Sequence, residues 1–286
     1  MEIEKFAQDE LKDFIIYSEL NKMVKDKKTK KILEKLANHE FSHYKFWSKL
    51  STKKQYSVSK IEVLFFKVMM LIFGLTFTLK LLENHEKDVI KTYKEYLKRV
   101  KGSKSTELEK IIKEEEFHEA NLIDMIKEER VTYLGASILG LNDSLVEITG
   151  VLAGLTAALQ NSFIVAISAL ITGIAASMSM AASSYLQAKA ENKNPKKTAY
   201  YTGIYYISVV LFLVLPYFLL SNVYFAFLFS IFIAISIVSF TSFYIAVLFE
   251  REYKKELMEM FTLSLGIALI TFIIGILART FLKIEI

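Results

Sequence analysis

Residues 127–158 read KEERVTYLGASILGLNDSLVEITGVLAGLTAA. Four charged residues in a row give way at Val131 to a run whose only carboxylates are Asp143 and Glu147 and which holds no Lys or Arg. A run of that length and polarity suits the hydrocarbon core of a bilayer, whereas the charge-dense sequence before it suits water. The chain therefore divides near residue 130. Most of its 36 Lys+Arg and 31 Asp+Glu lie before that point, although the hydrophobic fraction of the whole, 53%, is above that of an ordinary globular protein.

Working toward the C-terminus, apolar runs recur at 132–158, 162–188, 198–220, 222–249 and 257–281, which predicts five membrane crossings. The breaks between the second and third runs and between the fourth and fifth carry Lys189, Lys193, Lys196, Lys197, Arg251, Lys254 and Lys255. The other two breaks carry no cation, so the positive-inside bias puts the basic breaks in the cytoplasm. The part before residue 131 is then expected in the cytoplasm and the tail after Phe281 outside, in a multi-pass protein of the cell membrane. The charged start, with Glu2, Glu4, Lys5, Asp9 and Glu10, does not read as a signal peptide.

Working toward the N-terminus, apolar residues at three- and four-residue steps predict helices over 2–26, 29–50, 59–100 and 105–130, enough for a four-helix bundle. Val63 to Leu82 is apolar enough to raise a sixth crossing, but Lys67 and Lys80 interrupt it. It is read as a bundle helix with an unusually apolar face, resting on lipid or on a partner subunit. Lysines in this half alternate with Asp and Glu and form no basic run, so no nucleic-acid partner is expected. The absence of cysteine excludes thiolate zinc and iron–sulfur sites.

Two of the four histidines follow a glutamate by three residues: Glu40-Phe41-Ser42-His43 and Glu115-Glu116-Phe117-His118. On a helix such pairs share a face, and one pair on each of two helices with a glutamate from each of the other two is how bundles hold two metal ions. Glu19 and either Glu83 or Glu86 are the remaining candidates. These motifs make residues 1–130 resemble the ferritin-like, rubrerythrin-type family. The resemblance puts Glu19, Glu40, His43, Glu86, Glu115 and His118 on the family's ligand positions and Glu83 on its additional carboxylate position. It implies iron, in a di-iron site. The donors also suit manganese and are compatible with zinc. Rubrerythrins proper carry a cysteine-ligated iron module as well, and this chain has no cysteine for one.

In the second half, Asp143 and Glu147 are one turn apart on the first membrane helix, where ionisable residues are costly and usually mark a pathway. Glu147 is a candidate proton carrier. With Asn142, and with Ser179, Met180, Ala181 and Tyr185 on the second membrane helix, they make residues 131–286 resemble the vacuolar iron transporter family. Ser183 and Ser184 stand where that family has Gly and Glu. The resemblance implies a homodimer with Asn142, Asp143, Glu147 and Met180 along the transport pathway. The whole chain then reads as all-α: a ferritin-like four-helix bundle followed by a five-helix transmembrane domain, similar to the membrane-bound ferritin type. The expected function is export of ferrous iron or manganese from the cytoplasm in exchange for protons, the bundle capturing or oxidising the metal. The alternative is a di-iron oxidase or peroxidase that the five helices merely anchor.

Overall fold

A computed structural model of the chain describes residues 2–53, 55–83, 86–117, 126 and 128–282, and every regular element among them is helical. The chain forms two compact units, Met1–Val131 and Thr132–Ile286.

In the first unit α1 (Glu2–Met23) and α2 (Lys27–Leu50) make a hairpin. Asp26 closes its short connection by accepting a hydrogen bond from the Thr29 N–H at 2.8 Å, which caps α2. Two apolar layers hold the unit together. In one, Ile16, Tyr17 and Leu20 pack with Leu33 and Leu36. In the other, Phe6 packs with Trp47, Tyr93, Leu108 and Ile111, its ring centroid 4.8 Å from that of Trp47. Along α1, Glu10 and Asp13 fall between the residues of these layers, as Glu40 and His43 do along α2. A buried polar layer is thereby enclosed between two apolar ones.

The helix expected over 59–100 is broken into α3 (Lys60–Phe73), α4 (Leu75–Glu83) and α5 (Glu86–Leu97). Gly74 causes the first break. Its φ of 95° lies where side chains with a Cβ are strained, and a Cβ there would stand 2.3 Å from Glu128 Oε1. The Glu128 carboxylate accepts from the Thr76 N–H at 3.0 Å, satisfying the freed start of α4. The two halves of the apolar stretch then part company: Leu75, Phe77, Leu79 and Leu82 of α4 are buried, whereas α3 has no buried residue at all. Neither is among the helices long and apolar enough to cross a membrane. The fourth bundle helix, expected over 105–130, is described as α6 (Ser103–Phe117). Residues 118–125 and 127 lie outside the described residues, and a short α7 (Glu129–Thr132) follows.

The second unit consists of α8 (Leu134–Leu159), α9 (Ser162–Ala190), α10 (Pro195–Leu219), α11 (Val223–Phe249) and α12 (Tyr253–Leu282). All five are long and apolar enough to cross a membrane. Their tight connections are explained by asparagine caps: Asn161, Asn194 and Asn222 each accept from backbone N–H groups of the helix that follows, and Pro195 opens α10. α8 sits centrally, against α9, α10, α11 and α12. It approaches α12 closely at Gly154 and Gly275, where a Cβ on Gly275 would lie 2.3 Å from the Gly154 carbonyl oxygen. Backbones come this near only where neither helix carries a side chain, a common device in lipid, where expulsion of water does not drive helices together.

Candidate metal centre and membrane carboxylates

Glu10, Glu40, His43 and Glu115 are buried together, each offering one ligand atom within 4.8 Å of the others. The hairpin explains half of this: Glu10 and Glu40 are each fifteen residues from Lys25 in the α1–α2 connection, so antiparallel packing sets them opposite one another. α2 adds His43 on the same face as Glu40, and α6 adds Glu115. His43 Nδ1 is 2.7 Å from Glu115 Oε1, 3.5 Å from Glu10 Oε2 and 3.7 Å from Glu40 Oε2. The other ring nitrogen, Nε2, is 3.0 Å from Glu114 Oε2. The Tyr93 hydroxyl of α5 donates to Glu10 Oε1. The carboxylates, with Asp13, Val89 and Ile90, line a small cavity of about 10 Å³.

The electrostatics are those of a site that wants a cation. Three carboxylates no more than 4% exposed surround a single imidazole that is fully buried, and buried charge of one sign must be neutralised by protons or by a cation. Where no cation is bound, protons are favoured at these groups. Burial pushes the Glu10 carboxyl well above the usual range, with His43 drawing it back and Glu115 and Glu40 adding to the rise. Burial does the same to Asp13. For His43 burial opposes the charged ring, but the Glu115 and Glu10 carboxylates outweigh it and raise its pKa well above the ordinary value. Glu114, half-exposed and hydrogen-bonded to His43, is held down to about 2. A divalent ion at the carboxylates would displace those protons, leaving Nδ1 as a ligand and Nε2–H donating to Glu114, the carboxylate–histidine pairing common behind metal-bound imidazoles.

In the membrane unit, α8 carries two carboxylates. Asp143 and Glu147 are half-buried, one turn apart. Glu147 Oε2 accepts from the hydroxyl of Tyr206, a fully buried residue of α10, at 2.6 Å. Asn142 Oδ1 is buried without a hydrogen-bond partner. Met180 packs partly buried against the core of this unit, whereas Met178 is 70% exposed. A cavity of about 670 Å³ opens where α8 begins and α9 ends, lined by Tyr133, Ser184, Gln187, Glu191 and Asn194 among others. Ser184 is the residue that replaces the glutamate expected in α9, and its hydroxyl donates within the helix to the Ala181 carbonyl oxygen.

Residues 3–126 match the rubrerythrin family, and residues 134–194 match the VIT family. The chain carries a rubrerythrin domain followed by a VIT family domain. No curated protein and no solved structure matches it. The five helices and the VIT domain make it a multi-pass membrane protein and point to metal transport, and the rubrerythrin domain with its buried Glu/His cluster fits a di-iron type of site. The VIT match spans α8, α9 and their connections, so it includes Asn142, Asp143, Glu147 and Met180.

Of the metal ligands expected in the rubrerythrin domain, Glu40, His43 and Glu115 come together. Glu19 does not join them. Its carboxylate pairs with Lys22 and Lys67, each at 2.5 Å, which lowers its pKa and ties α3 to α1. Glu10 stands in the cluster instead. The two glutamates are nine residues apart on α1, about two and a half turns, and so face opposite ways. A signal for Glu10 was present in the stripe Phe6, Glu10, Asp13, Tyr17 and Leu20, buried along one face, to which Glu19 does not belong. Glu83 ends α4 and Glu86 opens α5. His118 lies outside the described residues.

Proposed function

We propose that the protein exports ferrous iron, or manganese, from the cytoplasm across the cell membrane in exchange for protons, and that its rubrerythrin domain captures the metal first. The observation that carries transport over mere anchorage is the pair Asp143 and Glu147 inside a 26-residue membrane helix. An anchor gains nothing from carboxylates at that depth, where each is costly. Two such groups one turn apart, next to Asn142 and on a helix packed against the one bearing Met180, offer oxygen and sulfur donors to a partly dehydrated cation. Glu147, held by Tyr206, is the proton carrier in this reading. Two copies, their α8 helices side by side, would line one pathway.

In the bundle, Glu10, Glu40, His43 and Glu115 hold the metal, with Glu86 and His118 completing a two-metal set and Glu83 as a further carboxylate. Iron held by these residues would supply one-electron redox chemistry, with oxygen or peroxide as the electron acceptor, so capture and oxidation could occur at one place. Zinc is compatible with the same donors. The basic breaks at 189–197 and 250–256 favour a cytoplasmic rubrerythrin domain and an outer C-terminus.

The test compares two lesions in full-length protein in proteoliposomes: Asp143→Ala, and the double variant Glu10→Gln with His43→Ala. The first is expected to abolish flux and spare metal binding at the bundle, the second to abolish that binding and lower flux only at scarce metal. If no form moves metal, yet the wild type oxidises ferrous iron with oxygen or peroxide, the protein is the anchored di-iron oxidase or peroxidase instead.

A further inference from the structure

Six large apolar side chains of α3 face outward: Ile61 (79% exposed), Leu64, Phe65, Val68, Leu71 and Ile72. Among the described residues of the rubrerythrin unit, every exposed large hydrophobic side chain is one of these six. They follow three- and four-residue steps and so form one stripe, while Val63, Phe66 and Met70 on the opposite side pack onto the core. Soluble monomers rarely leave such a contiguous stripe bare. We propose that α3 lies flat in the headgroup region of the bilayer, this stripe buried in lipid, and so holds the rubrerythrin unit on the membrane surface.

Four observations select lipid as the occupant. The helix is 14 residues long, about 21 Å at the usual rise, too short to span. It is closed at both ends, Ser59 accepting from the Ile61 N–H at 3.2 Å and Gly74 ending it, so it is a self-contained surface helix. Its start carries exposed cations, Lys53 in the connection before it and Lys60 at its first position, against one exposed carboxylate, Glu62, a net positive flank that attracts anionic headgroups. Finally, the unit ends at Val131 and a membrane-length helix starts at Leu134, so connectivity keeps the stripe within short reach of a bilayer at high effective concentration. Lys67, between stripe and core, is committed to Glu19, which braces the helix from behind.

The inference rests on the membrane-spanning half and not on transport, so it stands or falls separately from the export reading. Because the chain has no cysteine, single labels are unique. Leu64→Cys, Val68→Cys and Leu71→Cys, each carrying an environment-sensitive fluorophore, are placed in full-length protein in phosphatidylcholine/phosphatidylglycerol vesicles, with Asn38→Cys on the exposed face of α2 as the control. The expected result is quenching of the three α3 labels by brominated acyl chains and protection from iodide, with the reverse for the control. Iodide quenching at α3 would overturn the proposal by showing the stripe in water. Protection from both quenchers would overturn it in favour of a second copy of the chain covering the stripe.

Discussion

His43 presents its two nitrogens to different partners, Nδ1 to three buried carboxylates and Nε2 to Glu114. Groups that act through a ligand in this way typically carry roughly 10–100-fold in metal affinity. Glu114→Ala and Tyr93→Phe should each weaken metal binding by about that factor, read by competition with a chelator, while leaving the fold intact. The pH dependence has a definite sign. Glu10 and His43 both have raised folded pKa values, so as pH climbs past the ordinary values of 4.5 and 6.5 the unfolded chain releases protons that the fold still holds. Metal-free protein should therefore lose stability from pH 5 to pH 8, and added manganese should restore more of it at pH 8. Glu114 acts in the opposite sense but between about 2 and 4.5, below this range. Trp47, the one tryptophan and buried in the bundle, reports the transition. Sequence spacing alone reveals Glu40, His43 and Glu115, because a three-residue step on a helix fixes a shared face. It does not separate Glu10 from Glu19: each is an acid amid apolar residues of α1, and only the stripe and the hairpin register set one inward and the other toward Lys67.

Among the elements, the membrane helices are legible almost to their ends, since length and polarity decide them, and asparagine caps mark three of their starts. The broken third helix of the bundle is not. A single glycine in an apolar run is tolerated in many helices, and what makes Gly74 a break is the carboxylate of Glu128, distant in sequence, occupying the space of a side chain. Gly74→Ala should destabilise the bundle by about 1 kcal/mol or more, because it adds the positive-φ strain to a clash. In the membrane unit, Gly275→Leu would force α12 from α8 and should destabilise that unit by about 1–3 kcal/mol, seen as a lower melting temperature in detergent. Trp47 fluorescence would be unchanged by it, because the lesion lies in the other unit.

At the scale of the whole molecule, charge placement separates the two solvents, and in the export proposed for it a metal-collecting bundle is joined to metal-conducting helices. The two steps proposed, capture at the buried cluster and passage past Asp143 and Glu147, are separate physical acts, so they should fail separately. The most direct measurement is ferrous iron flux into proteoliposomes holding the full-length protein under an imposed pH gradient, with internal pH followed at the same time. Export in exchange for protons predicts inward-oriented flux that rises with the gradient, an opposing proton movement, and loss of both in Asp143→Ala. Wild-type flux in that variant, or none in well-folded, correctly oriented wild-type protein, would contradict it.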